Sequence, residues 1–252
     1  MQCQERLIQG LSLGMILGGV MHFLCLLKSH AAYGRYVDMS SSSMMVPAKV
    51  AWFLQELPAL VVPLLLMATT EGMDSTGKHL MLWTFCLHYF QRSCIYPLLT
   101  KGHPYPLNMM LTGMVVCSLN GFLQAHYLLH CATFHKSLFA EARLLAGLII
   151  FFIGMGINIH SDHILRNLRT PGEMTYKIPR GGLFEYVSGA NYFGEIVEWL
   201  GYTITSWSFP TFAFAFFTIC FIGPRAYHHH RFYIEKFKDF PRSRRSIIPF
   251  IF

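Results

Sequence analysis

Glu56 stands in an apolar stretch, Trp52-Phe53-Leu54-Gln55-Glu56-Leu57-Pro58, where an ionisable group is costly unless a partner or a function holds it there. It could be half of a structural Glu–Arg pair between helices. It could also be a carboxyl kept in its acid form by apolar surroundings, able to donate a hydrogen bond to a ligand oxygen. Pro58, two residues on, interrupts the helical ladder and frees carbonyls that can line a cavity. Further along, Tyr89, Arg92 and Tyr96 recur at i, i+3 and i+7 on one helical face, with His88 beside them. Arg92 is the natural counter-charge for a buried carboxylate. A lone Tyr more often anchors a membrane interface, but Tyr89 falls mid-segment on the polar face, which favours a working hydroxyl. Asn120 and Gln124, at i and i+4, have the simpler role of hydrogen bonding between helices.

A second polar stripe, Asn191, Glu195, Glu198 and Tyr202, is spaced i, i+4, i+7 and i+11. Two carboxylates do not belong in a packing seam within lipid, so the stripe reads as the wall of a wet cavity or cofactor site. Between the fifth and sixth apolar segments lie Asp162, Arg166, Arg169, Tyr176, Lys177 and Arg180, followed by Gly181-Gly182. Asp162 and Arg166 form an i, i+4 pair on a helical extension, and the other cations offer anion contacts that suit a phosphate-bearing cofactor. An ordinary basic loop on the cytosolic side is the simpler alternative. The later run Arg225-Ala-Tyr227-His228-His229-His230-Arg231-Phe-Tyr233 tempts a metal assignment. Adjacent helical residues point ~100° apart, so three successive His do not share one ion, and no metal is expected. Pro241-Arg-Ser-Arg-Arg245-Ser reads as a solvated basic end that can touch anionic lipid. Gly154-Met-Gly156 inside an apolar segment reads as close helix packing, and no phosphate-cradling or nucleophile-elbow motif is present.

Only membrane helices can position such residues. The 252-residue chain is 53% hydrophobic and 13% charged, with 22 Phe and a mean hydropathy of +0.39. That excludes disorder and leaves too little charge to cover a soluble protein. Seven Cys, scattered and mostly in apolar runs, exclude a disulfide-stapled secreted domain. The net charge of +7 does not signal nucleic acid, because the basic residues lie between apolar segments rather than along one face. The expected fold is an all-α polytopic membrane protein with seven transmembrane helices, at about 7–27, 49–69, 79–99, 107–131, 143–160, 187–206 and 208–223. The first segment has no small-residue cleavage site before Lys28-Ser29-His30, so it reads as an uncleaved span. Lys28, Arg35, Lys49, Lys101, Arg166, Arg169, Lys177, Arg180 and the basic tail all fall on one side of a seven-span arrangement. The other side holds only Arg6, Lys78, Lys136 and Arg143, so the C-terminus is expected in the cytosol.

Four strings carry a family likeness: Ala51-Trp-Phe-Leu-Gln-Glu56-Leu-Pro58, Gly154-Met-Gly-Ile-Asn158-Ile-His-Ser-Asp162, Gly181-Gly-Leu-Phe-Glu-Tyr-Val-Ser-Gly-Ala-Asn191 and Ala226-Tyr-His-His-His-Arg-Phe-Tyr233. They resemble the steroid 5α-reductases, and the likeness runs through the closing Ile248-Pro-Phe-Ile-Phe252. The resemblance implies one integral-membrane domain over 1–252, its seven helices around a single cofactor and steroid cavity, with about 143–252 mainly cofactor-binding. It implies NADPH-dependent reduction of the Δ4 double bond of 3-oxo-Δ4-steroids, testosterone to dihydrotestosterone among them. By the same resemblance Glu56 and Tyr89 hold the steroid ketone, and Trp52, Trp199 and Phe221 line the steroid pocket. Asn158, Asp162, Arg169, Tyr176, Asn191, Glu195, Arg225, His229 and Tyr233 would contact the cofactor. The implied setting is the endoplasmic reticulum membrane, N-terminus lumenal, as a monomer without nucleic-acid partners. Steroid would arrive from the bilayer and NADPH from the cytosol. Thr100, His103 and Thr112 depart from the pattern of the branch most resembled, and they bear on substrate-tail preference. A related reductase of a polyprenol or an enoyl-CoA would share the cofactor half. A transporter or receptor would share the spans but not saturable NADPH binding.

Overall fold

In lipid every backbone N–H and C=O must be satisfied within the protein, which leaves helices as the spanning element for a chain of this pattern. The computed structural model is accordingly all-α, and it describes residues 2–29, 34–36, 44–70, 75–133, 138–168 and 175–252. The helices are α1 (Glu5–Lys28), α2 (Ala48–Thr69), α3 (Thr76–Phe90), α4 (Tyr96–Leu99), α5 (Leu107–His126), α6 (Leu138–Asn167), α7 (Ala190–Ser206) and α8 (Phe209–Lys236). A π-helical segment, Gln91–Ile95, joins α3 to α4, and another, Tyr127–Cys131, closes α5. Strands β1 (Met45–Val46) and β2 (Tyr105–Pro106) form a short antiparallel ladder, with Met45 opposite Pro106 and Val46 opposite Tyr105.

Each of the seven apolar segments read from the sequence is helical. Five helical stretches are long and apolar enough to cross a membrane: Glu5–Leu27, Ala48–Thr69, Leu107–Cys131, Ala140–Asn167 and Phe209–Lys236. A count of seven is not established by length and hydropathy. The third segment is divided by its π-helical turn, and the sixth, α7, has 17 residues and carries the polar stripe. Outward faces are apolar on helix after helix: Leu13, Leu17, Met21 and Leu24 on α1, Val61 and Leu65 on α2, Leu145, Ile149 and Phe152 on α6. Apolar surface on this scale belongs in lipid or an interface.

The chain divides into two compact units. The first comprises Met1–Gly14, Ala31–Glu141 and Ser208–Pro210; the second comprises Met15–His30, Ala142–Trp207 and Thr211–Phe252. Within the first, α2 packs on α5 through Ala51, Gln55, Ala59 and Pro63, a run of i+4 steps along one face. Glycines on α5 make that contact close: a Cβ at Gly121 would lie 3.1 Å from the Ala59 Cα, and one at Gly113 would lie 2.9 Å from Gln55 Oε1. A disulfide, Cys3–Cys131, ties the N-terminal segment to the end of α5. No signal in the sequence announces this pair at a separation of 128.

Within the second unit, α6 and α7 meet backbone to backbone. A Cβ added at Gly154 would come within 2.6 Å of the Glu198 Cα, and one at Gly194 would come within 2.8 Å of the Gly154 carbonyl. Gly147 and Gly201 face the opposite helix in the same way one heptad along. The expected close packing therefore holds at Gly154. It does not hold at Gly156, where an added Cβ would meet nothing within 4 Å among the described residues. Beyond α8 the chain returns to the loop before α7. Ser188 N–H donates to the Arg245 carbonyl at 2.9 Å, Gly189 N–H to the Ser246 carbonyl at 3.0 Å, and Arg245 N–H to the Tyr186 carbonyl at 2.8 Å.

Candidate active site

In the first unit, α5 supplies a side chain to each member of the sequence-predicted ketone pair. The Glu56 carboxyl, on α2, accepts from Gln55 Nε2 at 3.2 Å and from the Cys117 thiol at 3.5 Å. The Tyr89 hydroxyl oxygen, on α3, accepts from Asn120 Nδ2 at 2.9 Å. Cys117 and Asn120 are one helical turn apart, so one face of α5 serves both residues. No ion pair holds Glu56 among the described residues, which weighs against the structural Glu–Arg pair. Arg92 instead presents its guanidinium to two rings, 5.2 Å from the centre of Trp52 and 4.5 Å from that of Tyr96. The π-helical turn that contains Arg92 produces this placement, and Ser93 Oγ bonds the Tyr89 carbonyl at 2.6 Å just before it. Such single-turn widenings often occur at functional positions.

Tyr105, which sequence reasoning missed, belongs to the same group. It is 6% exposed and packs against Trp52, and burial, then the nearby Glu56 carboxyl, pushes its hydroxyl well above the usual tyrosine range. Its position in a two-residue strand within Pro104-Tyr-Pro106 gives no periodic signal. Of the positions that depart from the expected pattern, Thr100 is buried. Thr112 is exposed on α5, its hydroxyl bonded to the Asn108 carbonyl at 2.9 Å.

The second unit gathers most of the expected cofactor residues. Asn158, on α6, donates from Nδ2 to the Asn191 carbonyl at 2.9 Å, and Asn191 Nδ2 reaches Asp162 Oδ1 at 3.4 Å. The glycine seam makes this possible, since Asn158 and Gly154 are one turn apart on the face that touches α7. Arg225 lies over Tyr192 and Phe221, its guanidinium 5.3 and 5.7 Å from their ring centres. His229 Nε2 meets the Tyr192 hydroxyl at 3.2 Å, Tyr233 stacks on Phe240, and Tyr176 packs edge-on to Phe232. Tyr192 was not among the expected residues. The three successive imidazoles go to three different partners: His228 to the Leu26 carbonyl, His229 to Tyr192, His230 to Ser188 Oγ. Trp199 and Phe221, expected in the steroid pocket, lie in this unit, Trp199 against Phe151, Tyr202 and Phe214, and Phe221 stacked on His22. Glu195 is half-buried on α7. Arg169 lies outside the described residues.

One expectation is corrected here. The basic terminal run is not solvated throughout, because Arg244 is 1% exposed. Its guanidinium donates to the Pro179 carbonyl at 2.8 Å and reaches Glu185 at 3.5 Å. The Pro179 carbonyl and the Glu185 carboxylate offset part of the cost of taking this cation out of water and tie the tail to the loop, while its Nε is buried without a partner among the described residues. The Gly181 N–H, donating to Glu185 Oε1 at 2.5 Å, holds the Glu185 carboxyl below the usual glutamate range, and Arg244 and Arg180 add to it. A carboxylate depressed in the folded state contributes stability above its unfolded pKa and loses it as pH falls through the folded value. Acidification below the glutamate range is therefore expected to loosen residues 179–189 before the spans. Faster amide exchange confined to that loop would show it; exchange that stays flat down to the lowest pH would remove the role.

A family profile described as 3-oxo-5-alpha-steroid 4-dehydrogenase matches residues 103–252. The 3-oxo-5-alpha-steroid 4-dehydrogenase 2 of Homo sapiens is 46% identical over 100% of this chain and 99% of its own length. That of Macaca fascicularis is 45% identical over the same shares, and the 3-oxo-5-alpha-steroid 4-dehydrogenase 1 of Homo sapiens is 46% identical over 99% and 97%. At this identity over the full length, the chain belongs to the 3-oxo-5-alpha-steroid 4-dehydrogenase family.

Proposed function

We propose that the chain reduces the Δ4 double bond of 3-oxo-Δ4-steroids such as testosterone and progesterone, with NADPH as reductant. Family membership supports the steroid 5α-reductase activity. The observation that carries the mechanism is the placement of Glu56 and Tyr89 on two helices in one unit, each engaged by the same face of α5. An enone attacked at carbon 5 develops negative charge on the carbon-3 oxygen. Two donors aimed at that oxygen stabilise the enolate where the charge appears. Tyr89 donates one hydrogen bond, and Glu56, in its acid form, donates the other. Trp52 and the Arg92 stack give the site an aromatic wall suited to a flat apolar substrate. A proton at carbon 4 completes the reaction.

The residues of the second unit fit a dinucleotide. A buried amide at Asn158 and a half-buried one at Asn191, a carboxylate at Asp162, a cation at Arg225 over two aromatic rings, and His229 match the amide, hydroxyl and phosphate groups of such a molecule. Asn158, Asp162, Tyr176, Asn191, Glu195, Arg225, His229 and Tyr233 would hold it, and Arg169 would take the 2′-phosphate. Bound NADPH would supply the hydride. Charge-assisted bonds to a phosphate are worth about 1.5–3 kcal/mol, so Arg169→Ala is expected to narrow the preference for NADPH over NADH by about 10- to 100-fold. The ratio of the two Michaelis constants reads this directly, and an unchanged ratio removes Arg169 from that role.

A disulfide needs an oxidising compartment, so Cys3–Cys131 supports a lumenal N-terminus and an endoplasmic reticulum membrane. Steroid then arrives from the bilayer and NADPH from the cytosol, and the chain works as a monomer surrounded by lipid.

A further inference from the structure

Asn120 and Gln124 are 0% and 1% exposed and sit one turn apart on α5. Gln124 Nε2 donates twice, to Asn120 Oδ1 at 3.1 Å and to the Pro210 carbonyl at 3.2 Å. Asn120 Nδ2 donates in turn to the Tyr89 hydroxyl oxygen at 2.9 Å. The direction of this chain is fixed at its far end. A backbone carbonyl can only accept, so Gln124 must turn its amide nitrogen to Pro210. Its second N–H then faces Asn120, which must answer with its oxygen, and the Asn120 nitrogen is left facing Tyr89. Gln124 Oε1 is buried without a partner among the described residues, so the polarity is kept even where reversal would satisfy that oxygen.

We propose that Asn120 and Gln124 are positioning residues that set which way the Tyr89 hydroxyl proton points. This rests on Tyr89 acting as a donor to the steroid ketone. With an N–H entering its oxygen from Asn120, the Tyr89 O–H cannot be spent on Asn120 and is directed elsewhere. Donation into the oxygen also polarises the O–H and strengthens the bond it makes. Reversal of the Asn120 amide would offer Tyr89 an acceptor, and the hydroxyl would turn from the substrate to the protein.

Asn120→Asp keeps the shape and replaces the donor by an acceptor. It is expected to lower kcat by about 10²-fold, the loss usual for one oxyanion donor, with thermal stability near wild type. The distinguishing readout is a double-mutant cycle with Tyr89→Phe, in which Asn120→Asp should cost almost nothing further. Gln124→Met, which keeps the volume, should cost about 10-fold on its own and likewise nothing in the Tyr89→Phe background. It carries the same comparison if the Asp variant does not accumulate. Wild-type turnover in Asn120→Asp, or losses that multiply in the double variants, would overturn the positioning role while leaving Tyr89 as donor. Wild-type turnover in Tyr89→Phe alone would overturn both.

Discussion

Glu56→Ala is expected to lower steroid turnover by about 10²–10³-fold, the cost of removing one donor from a developing oxyanion. The NADPH Michaelis constant should stay near wild type, because the hydrogen-bond partners of Glu56, Gln55 and Cys117, are not among the cofactor candidates. Glu56→Gln separates charge from hydrogen bonding. An amide keeps a neutral donor of nearly the same shape, so this variant should retain activity to within about 10-fold of wild type if the acid form of Glu56 donates to the ketone. A Gln variant as inactive as the Ala variant would sink the acid-form role. Gly113 limits compensation, since the space beside Gln55 is already closed to a methyl group.

Gly154→Val is expected to leave no folded protein. Ordinary overpacking costs about 1–3 kcal/mol because side chains and backbone can shift. Here the new atoms would meet backbone on the opposite helix, the Glu198 N and Cα and the Gly194 carbonyl, and neither helix can yield without separating from the other. The loss should appear as absence of a monodisperse peak in detergent and absence of NADPH binding. Gly156→Val, two residues away where an added Cβ meets nothing within 4 Å among the described residues, is the control and should behave as wild type. Equal tolerance of both changes would show that the α6–α7 contact is looser than the geometry requires.

Much of this was legible in the sequence, and particular residues show why the rest was not. The first four apolar segments lie close to their observed bounds, because lipid demands unbroken runs of fixed length, but α6 and α8 continue on polar residues to Asn167 and Lys236, well past the expected ends at 160 and 223. Glu56 and Tyr89 stand out because a polar group is rare in such a run, whereas Asp162 is marked by its i, i+4 spacing to Arg166 and Asn158 only by the family resemblance. Hydropathy says little about neighbours, however, since lipid-facing and protein-facing positions are both apolar. Arg92, read as the counter-charge of a buried carboxylate, also lies over the Trp52 and Tyr96 rings, contacts that hydropathy does not announce. Asn120 and Gln124 were read as generic interhelical glue, which their bonds to Tyr89 and Pro210 are, but the direction of those bonds depends on a carbonyl far along the chain. Arg244 looked like solvated charge because its acceptors, Pro179 and Glu185, come from a loop some 60 residues earlier. Cys3 and Cys131 had no shared motif to link them.

The central claim is hydride transfer from NADPH to carbon 5 of a 3-oxo-Δ4-steroid. Membranes containing the protein can be supplied with testosterone and NADPH deuterated at carbon 4 of the nicotinamide, and the product analysed by mass and position of label. A 5α-reduced product with deuterium at carbon 5, formed by wild type and lost in Glu56→Ala, is the predicted result. Product labelled at another carbon, or no NADPH-dependent product from any 3-oxo-Δ4-steroid, would contradict it.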